Sequence, residues 1–147
     1  MLYFEDLEVG TIHRFGAYAV TREEVVEFAS RYDPQPFHLS DKAAAQTYFG
    51  RLSASGWHTC AMVMRMMCDG YLLDSTSQGS PGIDKLRWLR PVRAGDTLRV
   101  RMTVLEARSS QSRPQIGLLR SAWEVFNQHD EPVMSMEGWG MFGRREG

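Results

Sequence analysis

Between Trp57 and Leu73 the chain is apolar on almost every side of a helix, carrying Trp57, Cys60, Ala61, Met62, Val63, Met64, Met66, Met67, Tyr71, Leu72 and Leu73. A helix with so little polar surface must be buried inside something. The run is too short for a bilayer, and Arg65 and Asp69 interrupt it, so the covering surface has to come from the rest of the chain. That surface is visible further along. Leu98, Val100, Met102 and Val104 alternate with Arg99, Arg101 and Thr103, the period of two of a half-buried strand. Comparable strands are expected from about Ile83 to Val92, Ile116 to Asn127 and Val133 to Phe142, with turn signals at Arg93-Ala94-Gly95-Asp96 and from Asn127 to Pro132. A helix-rich half followed by consecutive antiparallel strands is an α+β layout. The apolar helix then has one large surface to bury against, the concave face of the sheet.

The first half of the chain reads as a strand from Thr11 to Val20, followed by the capping-box pattern Thr21-Arg22-Glu23-Glu24 and a helix from about Arg22 to Tyr32. A short Ala-rich helix from Asp41 to Tyr48, closed by Gly50, comes next. With 147 residues the chain is expected to form a single domain over 1–147. A net charge of −1 argues against nucleic acid or an anionic membrane as partner. Cys60 and Cys68 stand eight residues apart in one helix, about 12 Å along its axis, which excludes a disulfide between them. Free thiols and the absence of a signal-like start between Met1 and Gly10 point to a cytoplasmic location. The methionines of the apolar helix read as adaptable core packing.

Asp33-Pro34-Gln35-Pro36-Phe37-His38 carries the chemistry. Two prolines fix their own φ and push the preceding residues toward extended conformations, so the helix stops at Asp33 and a stiff turn holds a carboxylate and an imidazole five positions apart. Such a pair suits general acid-base work near neutral pH, the histidine titrating there and the carboxylate orienting it or sharing a water with it. The plainer reading is turn chemistry at Asp33 and a surface or capping role for His38. Gly56 sits just ahead of the apolar helix, where unpaired backbone N–H groups and the helix dipole would stabilise an oxygen gaining negative charge. Its plainer reading makes Ser55 an N-cap and Gly56 an entry turn. His58, two residues past Gly56, reads as a structural residue of the first helical turn.

Charge is uneven along the chain. From Lys85 to Arg120 lie nine basic residues against the two acids Asp96 and Glu106. Most of these arginines read as solvated strand faces. Arg87, Arg90 and Arg93, which flank the Pro91 strand end, are the candidates for contacts to a phosphorylated ligand, arginine being suited to bidentate phosphate binding. No G-x-S-x-G elbow, zinc-ligand spacing or Gly-rich phosphate loop is found, so neither a metal nor a bound cofactor is expected.

Asp33, Pro36 and His38 match in identity and spacing the D-x-N-P-x-H signature of the MaoC-like, (R)-specific enoyl-CoA hydratase family, a branch of the hotdog-fold superfamily, and the chain resembles that family. Ser55-Gly56-Trp57-His58 and the segment from Trp88 to Leu98, with Gly95-Asp96, extend the resemblance over nearly the whole chain. Gln35 stands where the signature has Asn, while Ser55 and Ala61 stand where such hydratases often carry His and Ser. The resemblance implies a hotdog fold, a curved antiparallel sheet wrapped around a long central helix. It also implies reversible syn hydration of a trans-2-enoyl-CoA to the (R)-3-hydroxyacyl-CoA, with Asp33 and His38 gripping the water. N–H groups at the helix start formed by Ser55, Gly56 and Trp57 would polarise the thioester carbonyl. Two alternatives stay open, a hotdog thioesterase and a non-catalytic acyl-CoA-binding or partner subunit. The ligand is expected to be an acyl-CoA or acyl-carrier thioester. A homodimer or dimer of dimers is expected, because one helix on one sheet leaves sheet edges exposed and the resemblance places the pocket where two hotdogs meet.

Overall fold

Period-two hydrophobicity builds a five-stranded sheet in the computed structural model, which describes residues 1–145. Its strands are β1 (Ile12–Ala19), β2 (Gly82–Trp88), β3 (Thr97–Ser109), β4 (Ile116–Phe126) and β5 (Pro132–Gly143), and the helices are α1 (Arg22–Tyr32), α2 (Asp41–Ala44) and α3 (Gly56–Gly70). The spatial order is β1-β3-β4-β5-β2, with every pairing antiparallel. β1 and β2 are therefore the edges. On β3 the expected alternation holds, Leu98, Val100, Met102 and Val104 being buried while Arg99, Arg101 and Thr103 are half-exposed.

α3 lies across the concave face. Met62, Val63, Met66 and Met67 join Val100, Met102, Val104, Leu119, Trp123, Val125, Met134 and Met136 in one hydrophobic cluster. A curved antiparallel sheet around a central helix is the hotdog arrangement, of α+β class. Met66 is admitted by a bulge in β1. Gly16 there has φ +92°, and a Cβ at that position would overlap the Met66 side chain, so this glycine answers both a backbone and a packing demand.

Two expectations about α3 are corrected. It ends at Gly70 rather than Leu73, because Tyr71 turns inward to accept the Trp123 indole N–H at 3.3 Å and a 3₁₀ turn, Leu72–Asp74, follows. Nor is it buried all round: Trp57 is 61% and Met64 49% exposed, forming an apolar stripe that the rest of the chain leaves uncovered. Two other elements are shorter than expected. α2 stops at Ala44, and β2 stops at Trp88, short of Pro91.

α1 spans the expected residues, but its capping box is only half made. Thr21 Oγ accepts the Glu24 N–H at 3.2 Å, while the Glu24 carboxylate turns away to the Tyr18 hydroxyl and to His58 Nε2. No helix among the described residues is long and apolar enough to cross a membrane.

Candidate active site

Asp33 is the C-cap of α1, its N–H donating to the Ala29 carbonyl at 2.9 Å and its φ of −152° breaking the helix. Pro36 then opens a 3₁₀ turn, Pro36–His38, closed by the His38 N–H on the Gln35 carbonyl at 2.9 Å. The turn buries His38 to 4% exposure and holds its Nδ1 2.8 Å from the Ser53 carbonyl. A carbonyl can only accept, so Nδ1 carries the proton of that bond and Nε2 faces Asp33 Oδ2, 3.4 Å away. That separation is long for a direct bond. It leaves both groups turned toward a water that could donate to each.

Gln35, the departure from the family signature, fastens the carboxylate. Its side-chain N–H donates to Asp33 Oδ1 at 2.7 Å, leaving Oδ2 for His38. Burial pushes the Asp33 carboxyl pKa up, but Gln35, the neighbouring Ser55 hydroxyl and His38 together outweigh it, and the group is held below the usual carboxylate range. At neutral pH it is a base.

Ser55 is the N-cap residue of α3, yet its side chain makes no capping bond; its buried hydroxyl lies near enough to Asp33 to lower that carboxyl's pKa but makes no hydrogen bond of normal geometry. The capping role is thereby excluded. The first intrahelical bond runs from the Thr59 N–H to the Ser55 carbonyl, and among the described residues the N–H groups of Gly56 and Trp57 have no protein acceptor. They are the orphan donors of a fifteen-residue helix, where its dipole is positive. Gly56 has a different reason from close ligand approach. A Cβ there would stand 2.5 Å from Cε2 of Trp88, so the missing side chain makes room for the indole ring.

These groups share one cavity of about 410 Å³, lined by Asp33, Gln35, His38, Ser55, Gly56, Thr59 and an aromatic wall of Phe37, Tyr48, Phe49, Trp57 and Trp88. Trp57 and Trp88 meet edge to face at 5.3 Å. Trp57 also borders a second, apolar cavity of about 400 Å³ between α3 and the sheet, walled by Cys60, Met64, Met67, Leu86, Trp123 and Met136 among others.

The three arginines separate. Arg90 lines the cavity of Asp33 and His38 and pairs with Glu131 at 3.3 Å. Arg93, expected to reach phosphate, is instead a strap: its guanidinium donates to the carbonyls of Phe49 at 2.7 Å, Arg51 at 2.9 Å and Leu52 at 3.4 Å. Arg87 is exposed and donates to the Leu86 carbonyl, away from that cavity. Among the described residues no three His, Cys, Asp or Glu side chains gather to hold a metal ion.

Sequence reasoning did not find the aromatic wall, the Gln35 bond or the pairing of His58 with Glu24. Phe37, Tyr48 and Phe49 had no periodic pattern to mark them, although their density beside the Asp-His turn was a signal.

The family profile described as MaoC like domain matches residues 8–119. A MaoC-like dehydratase from Rhodospirillum rubrum superposes with a TM-score of 0.91 at 38% identity, covering 99% of each chain. An (R)-hydratase from Pseudomonas aeruginosa gives 0.75 at 27%, covering 97% of this chain and 86% of that one. In sequence, a 3-hydroxybutyryl-CoA dehydratase of Methylorubrum extorquens is 32% identical over 121 residues, 79% of this chain and 72% of its own length. With the Asp-His turn, the uncapped helix and the hotdog sheet in place, this chain belongs to the MaoC-like dehydratase family.

Proposed function

We propose that the protein hydrates a trans-2-enoyl thioester reversibly to the (R)-3-hydroxyacyl thioester, with Asp33 and His38 as the acid-base pair. The observation that carries the reading is the facing of Asp33 Oδ2 and His38 Nε2 across 3.4 Å, in one cavity with the uncapped start of α3. A family of hydratases and dehydratases, and a relative named for 3-hydroxybutyryl-CoA, set the reaction type and substrate class to test.

In this reading the thioester carbonyl accepts from the N–H groups at Gly56 and Trp57, which draws electrons from the double bond and makes Cβ electrophilic. Asp33 takes a proton from the water as its oxygen bonds to Cβ. Negative charge collects on the carbonyl oxygen, against the helix terminus. His38, held by its Nδ1–H on the Ser53 carbonyl, receives that proton at Nε2 from Asp33 Oδ2 and delivers it to Cα. The pair ends as it began, and H and OH arrive on one face because both groups stand on one side of the cavity. Ser55, its hydroxyl buried beside Asp33, would hold the water or the substrate. No bound cofactor enters the scheme. The acyl chain runs past Trp57 into the apolar cavity, and the carrier arm of coenzyme A or an acyl-carrier protein leaves past Arg90.

A second copy of the chain belongs to the proposal. β2 is a free sheet edge exposing Ile83 at 46%, followed by Trp88 at 47% and Leu89 at 48%, and beside it runs the apolar stripe of α3 with Trp57 and Met64. Such an edge is normally paired or covered.

The test is a panel of enoyl-CoA substrates followed at the conjugated double bond, with free thiol measured in parallel. Asp33→Asn and His38→Ala should each lower turnover by about 10² to 10⁴ with the fold intact. Thiol release without loss of the double bond would move the assignment to a thioesterase.

A further inference from the structure

The two halves of the proposed machinery sit at the ends of two different helices. Asp33 terminates α1, and the orphan N–H groups begin α3. Along α1 Val25 and Ala29 are buried and Val26 packs against the core, so the apolar contact that holds the helix is confined to a narrow stripe. His38 is anchored independently, through its Nδ1 bond to the Ser53 carbonyl. A further contact joins α1 to α3.

That contact is polar and outside the catalytic cavity. His58, in the first turn of α3, is 3% exposed and holds its Nε2 2.9 Å from Glu24 Oε1 in the first turn of α1. The same Glu24 oxygen accepts from the Tyr18 hydroxyl on β1. Phe28, one turn further along α1, stacks on the His58 ring at 4.6 Å and 7°. Glu24 is the residue whose carboxylate left the capping box, and His58 Nδ1 is buried without a partner. Helix capping and full hydrogen bonding are both set aside for one link between β1, α1 and α3.

Resting on the hydratase reading above, we infer that Glu24 and His58 are positioning residues, a clamp that fixes the carboxylate-bearing end of α1 relative to the oxyanion-binding start of α3. The clamp lies nine residues from Asp33, about 13 Å along α1, so it touches no reacting atom. It works by geometry. Release lets α1 pivot over α3, and a misplacement of about 1 Å between general base and oxyanion donors can lower a rate by about 10²-fold. Those donors act most strongly on the transition state, so the loss falls on kcat and leaves KM nearly unchanged.

Four variants test the clamp: Glu24→Ala, Glu24→Gln, His58→Leu and His58→Gln. Glu24 is surface-accessible, so Glu24→Ala reports on positioning even where the buried His58→Leu fails to fold. Glu24→Ala and His58→Leu should lower kcat about 10- to 100-fold at constant KM. Glu24→Gln keeps an acceptor oxygen, and His58→Gln carries an amide N–H at about the reach of Nε2, so both should recover most of the rate. In the ligand-free protein the amide resonances of Gly56 and Trp57 and the carboxyl carbon of Asp33 should shift in the two broken variants and return in the two conservative ones. Unchanged kcat and unchanged resonances in Glu24→Ala would overturn the clamp, as would a loss that His58→Gln and Glu24→Gln fail to repair. A wild-type protein that hydrates no enoyl thioester would instead remove the hydratase reading, and the resonances alone would then decide the clamp.

Discussion

Gly56→Ala is the substitution whose outcome the structure constrains most tightly. The added Cβ would stand 2.5, 2.6 and 2.9 Å from three atoms of the Trp88 indole. Ordinary contact begins at 3.4 Å, so the overlap to be relieved is about 0.9 Å. Two movements can relieve it. Trp88 ends an edge strand and is 47% exposed, so its ring can swing outward, while α3 is held by Met62, Val63, Met66 and Met67 in the core. The ring should therefore take most of the shift and the first turn of α3 the remainder. Overpacking of this kind costs about 1 to 3 kcal/mol. Alanine regains part of that through helix propensity, glycine being about 1 kcal/mol worse within a helix. The melting temperature should thus fall by only a few degrees. Turnover is more sensitive, because the moved N–H groups are the proposed oxyanion donors: a full misplacement of about 1 Å costs about 10²-fold, so the smaller share left to the helix start should lower kcat by roughly 10-fold. Trp88→Ala in the Gly56→Ala background removes the clash and should restore much of the rate, a coupling read from the double-mutant cycle. Gly56→Ala with wild-type kcat, or a deficit unrelieved by Trp88→Ala, would refute the reasoning.

Burial, then the hydrogen bond to Glu24, pushes the Tyr18 phenol up to about 12, and burial pushes Tyr71 up to about 12 against the opposing Trp123 bond. Raised folded-state values mean that the stability these phenols contribute is full below the ordinary phenol pKa of about 10 and is lost as pH rises through 12. Ultraviolet titration should show Tyr18→Phe deleting a late-ionising phenol, and a Tyr18 that ionised at the ordinary value would contradict the Glu24 bond. Arg90→Gln should raise KM for a CoA thioester, with the difference from wild type shrinking as salt increases. Arg93→Gln should instead leave KM alone and lower stability by about 1 to 3 kcal/mol, since it strands carbonyls of the 49–52 segment; equal effects of the two on KM would reject the division between them. Ile83→Lys on the β2 edge should leave a folded 16.8 kDa monomer in sedimentation at micromolar concentration, and an unaltered assembly would place the interface elsewhere.

Local signals in the sequence located β1, α1, β4 and β5 within about a residue. Thr21 and the first acids of α1 gave its start and Asp33-Pro34 its end, because capping and proline geometry act over three or four residues. The alternation on β3 likewise placed Leu98 through Val104 on the buried face. Errors fell where a distant partner overrides the local pattern. Tyr71 leaves the helix for Trp123, fifty-two residues away, and α3 keeps Trp57 and Met64 on an outer stripe, a face that composition alone cannot tell from the core side.

The site divides in the same way. Asp33 and His38 were legible because the prolines fix their turn locally, yet the carbonyl that orients His38 belongs to Ser53, fifteen residues on, and no spacing rule connects them. Gln35 departs from the signature's Asn, yet its amide donates to Asp33 Oδ1. An asparagine, one methylene shorter, would have to reach that oxygen from closer in, so the change to Gln is compatible with an oriented carboxylate. Arg93 shows the opposite case. Charge pattern grouped it with Arg90, but its side chain turns inward to tie down the carbonyls of Phe49, Arg51 and Leu52, in the segment that leads to the uncapped helix start at Ser55. An arginine that fastens the approach to the proposed oxyanion site and one proposed to meet the ligand's phosphate carry the same letter and stand three residues apart. Only the carbonyls around one of them tell the two apart.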